Sequence, residues 1–181
     1  SVTVNLKTNM AKQLLAIAAL VIVGCVQDVH GSGLVDNAIV GEKTTYLDGD
    51  WGLVSEVGQH IKGTVPGDLI TDLQNNGLVG DPLYEMNWIA HASKWNNTEW
   101  TYVAPAFQGD SALTTLLAFD GIKMGATIKL NGKIIGQASD QFRRYVFPIQ
   151  PAKMDNVVTV TFDKSDCGGR WMACTGGWDW A

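Results

Sequence analysis

From residue 35 onward the chain is a series of short apolar runs broken by Gly, Asn and Asp. Residues 51–54 open the series, and residues 60–65 follow, closing at Pro66-Gly67. Residues 100–106 and 112–119 are further β-rich runs, separated by the turn Gln108-Gly109-Asp110. Residues 126–130 lead into Asn131-Gly132 and residues 133–136 lead out. Asn-Gly between such runs predicts a tight hairpin, because both central residues of that turn need positive φ. Residues 141–149 and 157–162 predict two more strands. One helix stands out: Asp68 caps it, Leu69, Ile70 and Leu73 share a face, and Asn75-Asn76-Gly77 ends it. After Asp81-Pro82 the chain turns irregular and aromatic through Trp88, Trp95 and Trp100. Many short strands at even spacing with one short helix predict an all-β sandwich.

The first 31 residues carry a different pattern. Met10-Ala11-Lys12-Gln13 precedes an apolar run over residues 14–23, then Gly24 and Cys25. Ten apolar residues are too few to span a bilayer as a helix. They suit the core of a secretory signal peptide with Lys12 as its positive flank. Val29 and Gly31 fit a cleavage site that leaves Ser32 as the mature start. Ile22-Val23-Gly24-Cys25 offers a second possibility, a lipoprotein box with Cys25 lipidated, and a buried N-terminal helix is a third. Ser1 to Asn9 lie upstream of a plausible initiator Met10. The expected organisation is a leader and signal peptide over residues 1–31 and a sandwich over residues 32–181, incomplete at its C-terminal end. The protein is then expected in the secretory pathway, secreted or lysosomal. No membrane association is expected of the mature form unless Cys25 is lipidated.

Composition narrows the field. A hydrophobic fraction of 46% and a charged fraction of 17% belong to a folded chain. The net charge is −5. Lys and Arg are scattered, without the basic stripe that nucleic-acid binding needs, so nucleic acid is not an expected partner. Cys167 and Cys174 remain once Cys25 leaves with the signal, an even number in an oxidising compartment, and a disulfide is the first reading. Two free buried thiols are the alternative. Asn96-Asn97-Thr98 is a glycosylation sequon on a polar stretch.

Catalytic and metal-binding sets are missing from the pattern. Gly31-Ser32-Gly33 lacks the third glycine and the strand–helix context of a phosphate loop. His30, His60 and His91 are scattered, and none stands at metal-ligand spacing. No Gly-x-Ser-x-Gly elbow occurs. Neither a catalytic residue nor a metal nor a cofactor is expected in this chain.

The aromatic inventory is the remaining candidate. All seven Trp lie beyond residue 50. Trp51, Trp88, Trp100 and Trp171 are expected to plug the core, where indole N–H groups find carbonyls. Trp178-Asp179-Trp180 differs, because two large rings flank one carboxylate. Apolar faces beside hydrogen-bond acceptors suit a sugar ring, and exposed apolar patches usually mark binding sites. On a strand the two indoles face one way and Asp179 the other; in a loop all three can face one pocket. From the residues alone, core packing comes first.

A series of motifs changes that order. Leu47-Asp48-Gly49-Asp50-Trp51, Thr64-Val65-Pro66-Gly67-Asp68, Asp81-Pro82-Leu83-Tyr84 and Asn87-Trp88 occur in turn. Trp100-Thr101-Tyr102, Phe119-Asp120-Gly121-Ile122, Leu130-Asn131-Gly132 and the run from Phe142 to Phe147 follow, and Gly177-Trp178-Asp179-Trp180 closes the series. In this order they resemble the N-terminal domain of the β-mannosidases of glycoside hydrolase family 2.

The resemblance implies a jelly-roll sandwich of the galactose-binding type, placed ahead of immunoglobulin-like domains and a catalytic barrel. In that family both catalytic glutamates belong to the barrel, and carboxyls about 5–5.5 Å apart hydrolyse with retention. The resemblance also implies that Asp179, Trp178 and Trp180 contact the terminal β-D-mannose over the barrel mouth. The expected function is the sugar-contacting domain of a secreted β-mannosidase-like exo-glycosidase, with a β-mannoside glycan as its partner and no activity of the fragment alone. Enzymes acting on β-glucosaminides share much of this domain, so that substrate class stays open. A free-standing carbohydrate-binding module is the alternative, and a purely structural sandwich a third.

Overall fold

The computed structural model describes residues 2–7, 43–109, 114–151 and 154–164. They form a β-sandwich of two antiparallel sheets. The strands are β1 (Val2–Lys7), β2 (Lys43–Tyr46), β3 (Gly49–Ser55), β4 (His60–Val65) and β5 (Trp100–Val103). Then come β6 (Thr114–Asp120), β7 (Ala126–Leu130), β8 (Lys133–Ala138), β9 (Arg144–Ile149) and β10 (Val158–Phe162). One sheet has the order β2-β1-β6-β9 and the other β4-β3-β5-β10-β7-β8. Alternation places the core. Along β7, Ala126, Ile128 and Leu130 are buried while Thr127 and Lys129 are not, so every second residue faces the opposite sheet. Leu117 and Phe119 of one sheet and Trp51, Leu53, Trp100, Ile128 and Val158 of the other belong to a single core.

The expected hairpin joins β7 and β8. Asn131 and Gly132 take φ 51° and 79°, the positive values such a turn demands. The expected helix is α1 (Leu69–Asn75). Asp68 Oδ1 accepts from the Thr71 amide at 3.0 Å at its start, and Gly77 follows its end with φ 70°. Leu73 is fully buried.

Helix α1 also covers an open sheet edge. Asn76 Nδ2 donates to the Lys62 carbonyl at 2.8 Å, its Oδ1 accepts from the Lys62 amide at 3.3 Å, and Asp72 Oδ1 accepts from the Thr64 amide at 3.1 Å. Strand β4 lies at the margin of the six-stranded sheet, so these bonds satisfy groups that would otherwise invite another strand.

Three features differ from expectation. Residues 2–7, expected to precede the fold, form β1 between β2 and β6. Val2 is 5% exposed, and its amide donates to Asp48 Oδ1 at 3.0 Å. The sequence Val2-Thr3-Val4-Asn5-Leu6 alternates as a strand does, but six residues signal weakly beside the longer apolar run that follows. The proposed signal segment itself, with Cys25, lies outside the described residues. Second, the irregular aromatic stretch contains two single helical turns, α2 (Asn87–Ala90) and α3 (Ser93–Asn96). Neither has a side-chain cap, and one turn is too short to display a helical period. Third, Trp88 is half-buried, packed on Trp95 with ring centroids 5.0 Å apart, whereas Trp51 and Trp100 fill the core as expected. Trp171 lies outside the described residues.

Candidate functional site

Trp178, Asp179 and Trp180 lie outside the described residues, as do Cys167 and Cys174. Asn96 is the last residue of α3, and the Thr98 hydroxyl of its sequon donates to the Ser93 carbonyl at 3.1 Å. What the structure does define is the end of the sandwich from which the chain departs toward the Trp-Asp-Trp segment.

That departure point is built from β10. The strand lies between β5 and β7, a central position that permits few alternative registers because both neighbours pair with it. Its last residue, Phe162, sits opposite Trp100 on one side and Ala126 on the other. Tyr102 and Phe162 meet edge to face at 5.9 Å, a favoured aromatic geometry. Beyond the strand the Asp163 amide donates to the Gly125 carbonyl at 3.0 Å. Lys164 Nζ donates to Glu56 Oε1 at 2.6 Å. Glu56 is itself tied down: its amide donates to the Glu99 carbonyl at 3.0 Å, and its Oε1 accepts from the Glu99 amide at 3.3 Å. The Lys164 ammonium holds the Glu56 carboxyl below the usual carboxylate range, with burial opposing. Three chain segments, after β3, before β5 and after β10, are thereby joined at one end.

The aromatic stretch sits at the same end, because α3 leads through Glu99 directly into β5. The Trp100 indole donates to the Lys94 carbonyl of α3 at 2.8 Å, and Trp95 packs on the core beneath Trp88. Chemically this end presents carboxylates, the ammonium groups of Lys94 and Lys164, and indole faces. Such groups accept hydrogen bonds from hydroxyls and cover CH surfaces; a nucleophile–base pair is not among the described groups there. Among the described residues no group of three His, Cys, Asp or Glu is placed to hold a metal ion. No helix among them is long and apolar enough to cross a membrane.

Sequence reasoning did not find the Glu56–Lys164 pair. Each residue sits in a polar turn far from the other in the chain, and only the pairing of β3, β5 and β10 brings them together.

Comparison with known proteins fits this architecture. The chain is 34% identical over 127 residues to the β-mannosidase of Bos taurus, covering 64% of this chain and 14% of that protein. It is 33% identical over 102 residues to β-mannosidase A of Aspergillus terreus, covering 52% of this chain and 10% of that protein. Among solved structures, the β-D-mannosidase from Dictyoglomus thermophilum superposes with a TM-score of 0.60 at 28% identity, over 65% of this chain and 15% of that one. The matched region is thus a tenth to about a seventh of each relative's length. The family model of the glycosyl hydrolase 2 galactose-binding-like domain matches residues 51–168, well over half of the sequence, and the chain belongs to that family.

Proposed function

We propose that this chain is the N-terminal, sugar-contacting domain of a β-mannosidase-like exo-glycosidase of the secretory pathway. The enzyme would remove terminal β-D-mannose with retention, its two catalytic glutamates lying outside this chain. The observation that carries the proposal is the family match over residues 51–168, beside the likeness of the chain to the β-mannosidases of Bos taurus, Aspergillus terreus and Dictyoglomus thermophilum. Within it, Asp179 accepts hydrogen bonds from sugar hydroxyls while Trp178 and Trp180 wall the pocket. The pinned exit of β10 favours this role, since a strap that orients a sugar needs a fixed base. Cys167 and Cys174 would close a loop just ahead of the strap, and Asn96 would carry a glycan.

The test is kinetic. In the complete polypeptide containing this domain, Asp179→Ala is expected to lower kcat/KM on an aryl β-mannoside at least about tenfold, or ~1.4 kcal/mol of transition-state stabilisation. Unchanged kinetics would remove Asp179 from the site. The anomeric form of the first product, followed by proton NMR, decides between retention and inversion.

A further inference from the structure

Two Asn-Gly pairs stand among the described residues, Asn76-Gly77 after α1 and Asn131-Gly132 between β7 and β8. Asparagine is a chemically labile residue, and a following glycine makes it most so, because no side chain shields its Cγ from the next amide nitrogen. Attack of that nitrogen forms an N–Cγ bond and breaks Cγ–Nδ2. The amide hydrogen leaves with the side-chain nitrogen as ammonia, and a cyclic imide remains. Water then opens one of the two imide C–N bonds. The product is Asp, or its isomer in which the chain runs through the side-chain carboxyl.

The two pairs share a left-handed glycine and open space. Gly77 and Gly132 have φ 70° and 79°, and a Cβ at either would meet nothing within 4 Å. The nucleophile and the carboxamide differ. The Gly77 amide donates to the Gln74 carbonyl at 2.9 Å, so the end of the helix holds its hydrogen. Asn76 is half-buried; its Nδ2 donates to the carbonyls of Lys62 at 2.8 Å and Asp72 at 2.7 Å, and its Oδ1 accepts from the Lys62 amide at 3.3 Å. Attack there must first break the helix end and the cover over β4. Asn131 is exposed, and the Gly132 amide has no hydrogen-bond partner among the described residues. The Asn131 carboxamide makes two bonds: Nδ2 donates to Asn156 Oδ1 at 3.0 Å, and Oδ1 accepts from the Val157 amide at 2.8 Å.

We infer that Asn131 is a deamidation site of this fold and that Asn76 is protected from the same reaction. The product matters because of what the Asn131 nitrogen faces. Asn156 is fully buried, and its Nδ2 donates to the Phe107 carbonyl at 3.2 Å. Turning that amide round would set its oxygen against the same carbonyl. Deamidation therefore removes a donor and leaves a carboxylate oxygen facing Asn156 Oδ1, two acceptors with no hydrogen between them. Asn156 also forms the bridge to Phe107, its amide donating at 3.0 Å and its carbonyl accepting at 2.9 Å. The modification thus acts on the junction that ties the β7–β8 turn to the segments after β5 and before β10.

The test is a peptide map of the complete polypeptide containing this domain, aged in mildly alkaline buffer. Asn131 is expected to convert to Asp and its isomer on the order of fivefold faster than Asn76 in the native protein, because reaction at Asn76 waits on local opening. In denaturant the two rates should converge, since glycine follows in both. Equal native rates overturn the inference, as does faster loss of Asn76. A bias that persists unchanged in denaturant overturns it too, because the local sequence and not the fold would then choose the site. The consequence has its own readout. In Asn131→Asp the amides of Phe107 and Asn156 should exchange with deuterium on the order of tenfold faster, while those of Lys62 and Thr64 keep their rates. The aged parent, separated by its added negative charge, gives the same comparison should the variant fold poorly. Unchanged exchange at residues 107 and 156 would show that the bridge stands without the Asn131 donor, and would overturn the consequence drawn for the junction.

Discussion

Tyr102 donates its hydroxyl hydrogen to Asp72 Oδ2 at 2.6 Å, so strand β5 holds helix α1 through a carboxylate that is 3% exposed. The same carboxylate takes the Thr64 amide on its other oxygen. Burial and then the neighbouring Asp72 charge keep the Tyr102 phenol far above its ordinary range, so it acts as a donor at any working pH. Tyr102→Phe removes that donor and keeps the ring. The buried oxygen then loses a strong partner, and the expected cost is about 1–3 kcal/mol, read as a lower urea midpoint at unchanged m-value. A midpoint within error of the parent would mean that water replaces the hydroxyl.

Asp72 also makes stability depend on pH in an unusual direction. Burial raises its pKa above the ordinary 3.8, with the Tyr102 and Thr64 hydrogen bonds opposing and the charge of Asp68 adding to the rise. The folded chain therefore binds this proton more tightly than the unfolded chain. That contribution is fully present below about pH 3.8 and is lost as pH rises through the raised value. Other carboxylates change the total, so the readout is a difference: the stability of the parent minus that of Asp72→Asn is expected to grow as pH falls from 7 to 3.5. A difference that shrinks would place the native pKa below the ordinary one.

Gly63 provides the space that this arrangement needs. A Cβ there would meet Tyr102 Cε1 at 2.8 Å, Cδ1 at 3.2 Å and Asp72 Oδ2 at 3.3 Å. One edge of the ring lies close against the bare backbone of β4, and a methyl group must push it away. Gly63→Ala is expected to destabilise by roughly 1–3 kcal/mol through overpacking. Combined with Tyr102→Ala, which empties the space, the same substitution should cost far less, and additive costs would disprove the contact.

How far the chain could be read in advance depended on whether each signal was local. Asn131 and Gly132 announce their turn because positive φ is a property of the residues themselves. Gly77 marks the end of the helix for the same reason, and Asp68 marks its start because a short carboxylate can accept from an amide three residues on. Strands β3 to β10 follow from apolar runs, with ends off by a few residues because fraying is decided by neighbours. Strand β2 (Lys-Thr-Thr-Tyr) is polar, and its pairing with β1 supplies the reason for its shape. The Asp72–Tyr102 and Glu56–Lys164 contacts join residues distant in the sequence and became visible only with the sheet order. For Trp178, Asp179 and Trp180 the family motif remains the guide, since they lie outside the described residues.

A second tyrosine organises the opposite flank of the sandwich. Tyr145 Oη accepts from the Ser139 amide at 2.9 Å and the Asp140 amide at 2.7 Å, and it donates to the Asp140 carbonyl at 2.8 Å. One hydroxyl thus closes the turn between β8 and β9, while Asp140 Oδ1 accepts from the Phe142 amide at 2.9 Å. Arg143 lies 6.0 Å over the same ring, and Arg144 pairs with Asp120 across the β6–β9 ladder. Both ionic contacts are exposed and contribute little, so the turn depends on the hydroxyl. Tyr145→Phe leaves two amides and a carbonyl to water. Because the turn is largely solvent-exposed, water replaces part of what is lost, and the expected cost is about 0.5–1.5 kcal/mol, not the larger penalty of a buried site. The sharper effect is local: amides of residues 139–142 should exchange with deuterium on the order of tenfold faster while those of β7 keep their rates. If exchange rises equally in both segments, the hydroxyl acts on global stability and the turn does not depend on it.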